Sequence, residues 1–204
     1  MSCQKKTLSL KIVICGEIGV GKTCLFSRIN NLEFNRNPET TASDYKSKTI
    51  EKNGITINCE FWDTAGQEKF YSLNRIFFKE AKIAIIVYDI TRRETYEKLK
   101  DFWINEIKSH STNLSIIGIA ANKCDLYDSE QVNEQEARDY AKSVGAFYKL
   151  CSALNNEGIN ELVDDLINHF LSTLDNQSNI QNNPNDNSDF KLDKKKQEKK
   201  KKCC

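Results

Sequence analysis

The sequence lacks long hydrophobic runs, closely spaced cysteine pairs, internal repeats and a recognisable secretion signal. Its longest apolar stretches, Ile83–Val87 and Ile116–Ala121, are far shorter than the roughly 20 residues that cross a bilayer. We therefore expect neither a membrane-spanning helix nor a cleaved leader. Function has to be sought in a folded domain and its loops.

The eight cysteines show neither a C-x-x-C pair nor the spacing of metal ligands. Cys15, Cys59 and Cys151 lie inside strand-like runs and are interpreted as small core residues. We expect free thiols and a reducing, cytosolic compartment.

Charge is distributed unevenly along the chain. The 204 residues are 39% hydrophobic and 29% charged, as in a soluble protein with one globular domain. The net charge is +1, but residues 191–204 carry eight lysines against two acidic residues, so this segment is +6 and the remainder −5. A basic tail on an acidic body predicts an anionic partner surface, either a membrane or a nucleic acid.

Apolar periodicity predicts strands that alternate with helices. The predicted strands are 8–15, 44–52, 55–62, 83–90, 115–121 and 146–152, and the predicted helices are 22–30, 68–79, 93–109, 131–143 and 157–173. Asn53-Gly54 predicts a hairpin between the second and third strands. We expect an α/β fold with a mostly parallel six-stranded sheet, one antiparallel edge strand and helices on both faces. In such sheets, ligands bind at the carboxyl ends of the strands.

The composition changes near residue 174. Residues 175–189 are mainly Asn, Asp, Ser and Gln, and cannot bury enough apolar surface to offset the entropy cost of ordering. We expect a domain over 1–174, followed by a disordered tail over 175–204.

The first loop reads Gly-Glu-Ile-Gly-Val-Gly-Lys-Thr at 16–23 and matches the phosphate-binding pattern G-x-x-x-x-G-K-[ST] of P-loop NTPases. It follows a predicted strand and opens a predicted helix, as this motif requires. Its glycines let backbone N–H groups turn towards phosphate oxygens, and the helix N-terminus adds partial positive charge. The Lys22 amine is expected to reach the outer phosphates, and the Thr23 hydroxyl to bind Mg²⁺. The predicted phosphate-binding residues here are Gly16, Glu17, Ile18, Gly19, Val20, Gly21, Lys22, Thr23 and Cys24.

The loop after the third predicted strand reads Trp-Asp-Thr-Ala-Gly-Gln-Glu at 62–68. Asp63 is expected to hold Mg²⁺, usually through water. The Gly66 N–H is expected to bond a γ-phosphate oxygen, and Gln67 to orient a water for in-line attack. Standing alone, the segment would be interpreted as an ordinary strand-to-helix turn.

The loop after the fifth predicted strand reads Asn-Lys-Cys-Asp at 122–125. The Asp125 carboxylate can accept from the N1–H and the exocyclic amine of guanine, a donor pair that adenine lacks on that edge. Lys123 is expected to lie over the base, and Asn122 to tie this loop to the phosphate-binding loop. The next strand ends at Ser152-Ala153, where the small Ala153 lets a backbone N–H approach guanine O6.

In order and spacing, these motifs resemble those of the Ras superfamily of small GTPases, and within it the Rab family. The resemblance covers residues 8 to about 174 and implies a G domain that binds GTP and GDP with Mg²⁺ and slowly hydrolyses GTP to GDP and phosphate. The resemblance implies that Gln67, Lys22 and Thr40 take part in catalysis. It places Phe34 edge-on against guanine, although a plain packed Phe is the alternative.

The resemblance also implies a switch threonine that binds Mg²⁺ only in the GTP state. Alignment on Asp44 and Tyr45 favours Thr40, whereas counting forward from Lys22 favours Thr41. We assign Thr40 to this role with Thr23 and Asp63, and Thr41 stays open as the alternative.

Three aromatic residues, Tyr45, Trp62 and Phe77, fall where Rab proteins carry a triad that effectors read; core packing is the alternative role. The terminal Cys203 and Cys204 resemble a geranylgeranylation site, and the lysine-rich stretch before them suits an anionic leaflet. The resemblance implies a monomeric, lipid-anchored switch for vesicle transport on the cytoplasmic face of an endomembrane, cycling with the cytosol. Its partners would be an exchange factor, a GTPase-activating protein, a GDP-dissociation inhibitor and effectors, with no nucleic acid.

Ile18 departs from the family pattern, which has a small or polar residue at this position beside the γ-phosphate. We hypothesise that its branched side chain crowds Gln67 and slows hydrolysis. Three other functions stay open at this point: a guanine-nucleotide adaptor that scarcely turns over, a P-loop kinase or ATPase, and a nucleic-acid-binding protein that uses the lysine tail.

Overall fold

The structure is a computed structural model that describes residues 7–33, 43–64 and 76–181, with side chains up to 175. Six strands form one sheet in the order β2-β3-β1-β4-β5-β6. Their bounds are β1 Thr7–Cys15, β2 Asp44–Lys52, β3 Ile55–Asp63, β4 Ile83–Asp89, β5 Ile116–Asn122 and β6 Phe147–Leu150. Only β2 runs antiparallel to its neighbour among these strands, which confirms the predicted sheet with one antiparallel edge strand.

The helices follow the strands as predicted. Their bounds are α1 Lys22–Ile29, α2 Arg93–Lys98, α3 Ile104–His110, α4 Glu134–Ser143 and α5 Ile159–Gln181. A 3₁₀ helix at Cys124–Ser129, which periodicity does not predict, follows β5. Most of the helix predicted over 68–79 lies outside the described residues.

The hairpin forms at the predicted turn. Asn53 and Gly54 both adopt positive φ, at 52° and 74°, as a two-residue turn between twisted strands requires. Lys52 therefore pairs with Ile55, and at the far end Asp44 pairs with Asp63.

Alternate residues of the central strands are buried against helices on opposite faces of the sheet. On one face, Val13 of β1 and Ile86 of β4 belong to a cluster of buried residues with Trp103 and Ala137. The other face includes Gly118, where an added β-carbon would meet the side chain of Leu166 on α5. Both faces are therefore covered, as expected for a parallel sheet built from βαβ units.

The helix predicted over 93–109 is interrupted. A five-residue π-helical segment, Leu99–Trp103, joins α2 to α3. Such segments are rare and occur often at functional sites. This one ends at Trp103, whose side chain is buried.

The cysteines predicted to lie in the core are there. Cys15, Cys59 and Cys151 are fully buried free thiols. Burial raises the pKa of Cys59 and of Cys151 to about 12 and also raises the pKa of Cys15, so these thiols stay protonated.

The chain divides into two compact units, residues 1–170 and 171–204. Helix α5 ends at Gln181 and not at 173, so it includes part of the segment that composition predicts to be disordered. The proposed boundary at 174 stays a prediction. Within the described part of the chain, no helix combines the length and apolarity needed to cross a membrane.

Candidate functional site

The predicted loops meet at one edge of the sheet because they follow the carboxyl ends of neighbouring parallel strands. The strand register aligns Ile14 with Asp63, Asp89 with Asn122, and Ala121 with Leu150. The segments that follow β1, β3, β4, β5 and β6 therefore start side by side, at the edge where such sheets bind ligands.

The phosphate-binding loop needs glycine at two close approaches. Gly16 has φ 138°, and a β-carbon there would overlap the carbonyl of Val87. Gly21 has φ 95°, and a β-carbon there would overlap the side chain of Asn122. Other residues rarely adopt this backbone conformation, and here they would also collide with their neighbours.

Lys22 and Thr23 open helix α1 beneath this loop. Lys22 is only 5% exposed, and its Nζ donates to the carbonyl of Glu17 at 2.8 Å. Burial lowers the pKa of Lys22, while the nearby charge of Asp63 opposes this shift. A desolvated ammonium group beside the loop is suited to attract phosphate oxygens.

Thr23 meets Asp63 at the end of β3. The Thr23 hydroxyl donates to Asp63 Oδ2 at 2.6 Å, whereas Asp63 Oδ1 is buried and has no hydrogen-bond partner among the described residues. Burial raises the pKa of Asp63 to about 6, against the opposing effects of the Thr23 hydrogen bond and the charge of Lys22. A hydroxyl and an unsatisfied buried carboxylate oxygen are the hard oxygen donors that suit Mg²⁺ or its bound water. These residues fit the predicted ion.

Asn122 joins the predicted phosphate-binding and guanine-binding loops. Its Nδ2 donates to the carbonyl of Val20 at 2.7 Å, and its Oδ1 accepts from the backbone N–H of Ala153 at 3.1 Å. The side chain is 1% exposed, so both bonds are shielded from water. The Ala153 N–H thus has its acceptor in Asn122, and the approach of a backbone N–H at Ala153 to guanine O6 stays a prediction.

Ser152 orients the predicted guanine-reading carboxylate. Its hydroxyl donates to Asp125 Oδ1 at 2.5 Å and accepts from the Asn155 N–H at 3.0 Å. Arg28 of α1 supports the same loop by donating to the carbonyls of Ala153 and Leu154 at 2.8 and 2.7 Å. Arg28 is a contributor that sequence reasoning missed, because its position on a helix carries no motif.

A cavity opens between these loops. It is lined by Gly21, Cys24, Asn122, Lys123, Asp125, Leu126, Ala153 and Leu154. Six of these eight belong to the predicted nucleotide-binding set. Leu126 and Leu154, which are exposed, add apolar walls suited to a flat base.

Asp89 is a second residue that sequence reasoning missed. Its carboxylate is 1% exposed at the end of β4, and its Oδ2 accepts from Lys123 Nζ at 2.6 Å and from Arg92 Nε at 3.2 Å. Burial by itself would raise the pKa of Asp89, but the hydrogen bonds from Lys123 and Thr91 outweigh it and hold the pKa below its usual range. The sequence signal that could have found it is an acidic residue at the end of an apolar strand, here Ile83–Asp89.

Trp103 reaches the phosphate-binding loop. Its indole N–H donates to Glu17 Oε1 at 3.1 Å across 86 residues of sequence. Trp103 lies within the helix predicted over 93–109, where an apolar side chain is expected to pack, and it is buried. Trp103 ends the π-helical segment, and its contact with Glu17 leaves no signal in the sequence.

The three aromatic residues predicted to face effectors lie together. The rings of Tyr45 and Trp62 are 4.7 Å apart, and those of Trp62 and Phe77 are 5.5 Å apart. Tyr45 is 44% exposed, whereas Trp62 and Phe77 are partly buried and pack against the core. Trp62 and Phe77 therefore pack against the core, while Tyr45 beside them stays accessible at the surface.

Several predicted residues lie outside the described parts of the chain. They are Phe34, Thr40, its alternative Thr41, Gly66, Gln67, Cys203 and Cys204.

Comparisons with known proteins agree with this geometry. The model of the Ras family matches residues 11–172. The chain is 36% identical to human "Ras-related protein Rab-22A" over 197 residues, which is 96% of this chain and 97% of that protein. It is 39% identical to bovine "Ras-related protein Rab-21" over 169 residues, which is 82% of this chain and 76% of that protein.

Proposed function

Since this chain belongs to the Ras family and, within it, to the Rab proteins, it is a small GTPase that hydrolyses GTP, and we propose that it works as a membrane-anchored switch in vesicle transport. In this proposal the GTP form recruits effectors, and hydrolysis to GDP ends their recruitment. The kinase or ATPase and nucleic-acid alternatives lose their support with this membership, whereas a guanine-nucleotide adaptor that scarcely turns over stays open to a hydrolysis test.

The two hydrogen bonds of the Asn122 side chain are the observation that best supports a single guanine-nucleotide site. One buried amide holds the Val20 carbonyl of the phosphate-binding loop and the Ala153 N–H of the guanine-binding loop. Loops joined in this way are suited to bind the two ends of one ligand. Asp125 would then read the N1–H and amine of guanine, with Ser152 orienting its carboxylate.

At the phosphate end, Lys22 would neutralise phosphate charge, while Thr23 and Thr40 would hold Mg²⁺ with Asp63 behind them. The contact of Thr23 with Asp63 supports this assignment, and so does the buried Asp63 Oδ1, which accepts no hydrogen bond from any described residue. When bound, Mg²⁺ supplies positive charge that neutralises the developing charge on the phosphate oxygens. Because Lys22 is buried, its charge acts in a poorly solvated environment, where electrostatic attraction is stronger.

Gln67 would orient the water that attacks the γ-phosphorus, and Gly66 would donate its N–H to a γ-phosphate oxygen. The bond from the bridging oxygen to the γ-phosphorus breaks, and GDP and phosphate leave. The Gly66 N–H then loses its acceptor, which would release the switch segments.

The tail would anchor the protein. Prenylation of Cys203 and Cys204 together with the lysine-rich stretch would meet the two-signal requirement for stable attachment to a cytoplasmic leaflet. The surface around Tyr45, Trp62 and Phe77 would face effectors, which the accessibility of Tyr45 supports. Exchange factor, activating protein and GDP-dissociation inhibitor would act on the same cycle between membrane and cytosol, with the protein as a monomer.

The proposal is tested by single-turnover hydrolysis of bound GTP with Mg²⁺ in the unprenylated wild type and in Gln67→Leu. We expect slow hydrolysis by the wild type and a stalled variant that still binds GTP. Equal rates in the two proteins would contradict the role of Gln67. Failure of the wild type to retain GTP would contradict the proposed site.

Anchoring needs a separate test, in cells. The full chain and a Cys203→Ser/Cys204→Ser variant would be compared by membrane fractionation. We expect the wild type in the membrane fraction and the variant in the cytosol. The same distribution for both proteins would refute lipid anchoring at these cysteines.

A further inference from the structure

Three peptide carbonyls of the phosphate-binding loop are each held by a side chain. Lys22 holds the carbonyl of Glu17, Asn122 holds that of Val20, and Arg92 holds that of Ile18. Lys22 belongs to the loop motif, and Asn122 belongs to the guanine motif. Arg92 belongs to neither, and it lies just after β4.

The contact made by Arg92 is well defined. Its Nη2 donates to the Ile18 carbonyl at 2.7 Å, while its Nε donates to Asp89 Oδ2 at 3.2 Å. Asp89 is fixed in turn, because its Oδ1 accepts from the N–H and hydroxyl of Thr91 at 2.9 and 2.7 Å. The guanidinium group thus has one end anchored on a buried carboxylate and the other on the loop.

The same carboxylate also holds the guanine side. Lys123 Nζ lies 2.6 Å from Asp89 Oδ2. Arg92 therefore completes a chain of contacts from Lys123 through Asp89 to Ile18. The planar fork of arginine suits this double engagement, whereas a lysine ammonium acts as a single point of charge.

By holding the Ile18 carbonyl, Arg92 also orients the backbone N–H of the next residue, Gly19. In a trans peptide unit, the carbonyl of one residue and the N–H of the following residue point in opposite directions. With the Ile18 carbonyl turned to Arg92, the Gly19 N–H points away from Arg92. Gly19 adopts φ 73°, in the left-handed region used by loops that turn successive N–H groups towards an anion.

We propose that Arg92 is a positioning residue for phosphate binding, which fixes the Ile18–Gly19 peptide unit so that the Gly19 N–H faces the phosphate groups of the nucleotide. This inference rests on the proposed guanine-nucleotide site and adds to it a residue outside its motifs. It also makes Asp89 the common anchor of the phosphate and guanine ends, so that loosening one end loosens the other.

Arg93 provides a matched control. It is the adjacent arginine and carries the same charge, but its guanidinium binds Glu97 at 2.8 Å and Glu136 at 2.7 and 2.6 Å. If Arg92 acts only by adding positive charge near the site, Arg93→Ala should have a comparable effect. If Arg92 acts by holding the loop, only Arg92 substitutions should matter.

The experiment measures GDP release with Mg²⁺ and the ³¹P resonances of bound GDP in wild type, Arg92→Ala, Arg92→Lys and Arg93→Ala. For Arg92→Ala we expect about tenfold faster release, the size of one charge-assisted hydrogen bond, and displaced ³¹P resonances. We expect Arg92→Lys to release GDP faster than wild type as well, and Arg93→Ala to match wild type in both readouts.

The inference is overturned if Arg92→Ala releases GDP at the wild-type rate with unchanged resonances. It is also overturned if Arg92→Lys equals wild type while Arg92→Ala is fast, since charge alone would then suffice. If Arg92→Ala fails to fold, Arg92→Lys and Arg92→Gln carry the comparison. A wild type that does not retain GDP would refute the proposed site itself, which distinguishes that failure from failure of the role of Arg92.

Discussion

The hydroxyl of Thr23 donates a 2.6 Å hydrogen bond to the carboxylate of Asp63, 40 residues later in the chain. The two residues come from different motifs, and the parallel pairing of β1 with β3 brings them together. Within the part of the chain that the structure describes, the second carboxylate oxygen of Asp63 is buried without a hydrogen-bond partner. Leaving a buried acceptor unsatisfied costs about 1–3 kcal/mol, which a bound ion or its water would recover.

Asp63→Asn should weaken the response to Mg²⁺. The variant keeps an oxygen but loses the negative charge, so we expect at least about tenfold more Mg²⁺ for half-maximal slowing of GDP release. The measurement is release of a fluorescent GDP analogue during Mg²⁺ titration, with Asp139→Asn on the exposed side of α4 as the control. An unchanged Mg²⁺ midpoint in Asp63→Asn would show that Asp63 does not contribute to binding the ion.

Asp89 should make the protein sensitive to acid. Its carboxyl has a lowered pKa in the folded state, so the stability that it contributes is complete above the pKa of an unfolded Asp, about 4. That contribution is lost as the pH falls through the lower, folded-state pKa. We therefore expect the free energy of unfolding to fall more steeply between pH 5 and pH 3 in wild type than in Asp89→Asn.

The measurement is urea unfolding across this pH range, with Asp164→Asn as a matched variant. Asp164 pairs with Lys52 but its side chain is 58% exposed. At pH 7, Asp89→Asn should lose roughly 1–3 kcal/mol, since Lys123 and Arg92 keep partial access to water. Parallel pH profiles for wild type and Asp89→Asn would show that the carboxylate contributes no pH-dependent stability.

Ser152→Ala should weaken guanine selectivity. The change removes the donor that orients Asp125 and the acceptor for the Asn155 N–H. We expect a roughly 5- to 30-fold loss of GDP affinity, and a smaller loss for inosine diphosphate, which lacks the exocyclic amine. Competition binding of the two nucleotides measures the ratio, with Ser109→Ala on α3 as the control. Equal losses for both nucleotides would mean that Ser152 supports the loop without orienting Asp125.

Trp103 and Glu17 should be energetically coupled. Trp103→Phe removes the indole N–H that donates to Glu17, and Glu17→Ala removes the acceptor. A double-mutant cycle on the free energy of unfolding of the GDP-bound protein should give a coupling of about 1 kcal/mol. GDP release should accelerate in both single variants, because each frees the same end of the loop. Additive effects in the cycle would show that the two side chains act independently.

Ile18→Ser should increase turnover. Ile18 is a branched apolar residue where the family has a small or polar one, and an arginine finger supplied by an activating protein contributes about 10³–10⁵ in rate. If the Ile18 side chain obstructs the finger, the serine variant should show a large gain in activator-stimulated hydrolysis and little change in GDP affinity. Identical rates of activator-stimulated hydrolysis in wild type and Ile18→Ser would contradict the hypothesis.

The sequence predicts most of the sheet because its signals are local. The strand over 44–52 and the Asn53-Gly54 turn occur where alternation and turn chemistry place them. Local signals predict neither the ends of α5 nor the π-helical interruption at Leu99–Trp103. Composition alone favours disorder after residue 174, yet the helix continues to Gln181, since a helix already begun extends with one new hydrogen bond per residue.

The residues of the candidate site are likewise predicted in part by local sequence signals, while some of their contacts are fixed only by the tertiary structure. Loop motifs at strand ends determine by themselves which residues are candidates, because glycine spacing, a lysine and a carboxylate have chemistry that does not depend on distant neighbours. Asn122 joins the two loops as its motif predicts, but only the tertiary structure decides that Asp89 anchors Lys123 and Arg92, and that Trp103 reaches Glu17. The contacts of Asp89 with Lys123 and of Trp103 with Glu17 link elements far apart in sequence, and both depend on strand register and helix packing. No local pattern encodes such a contact, because its two partners meet only when the whole sheet has formed.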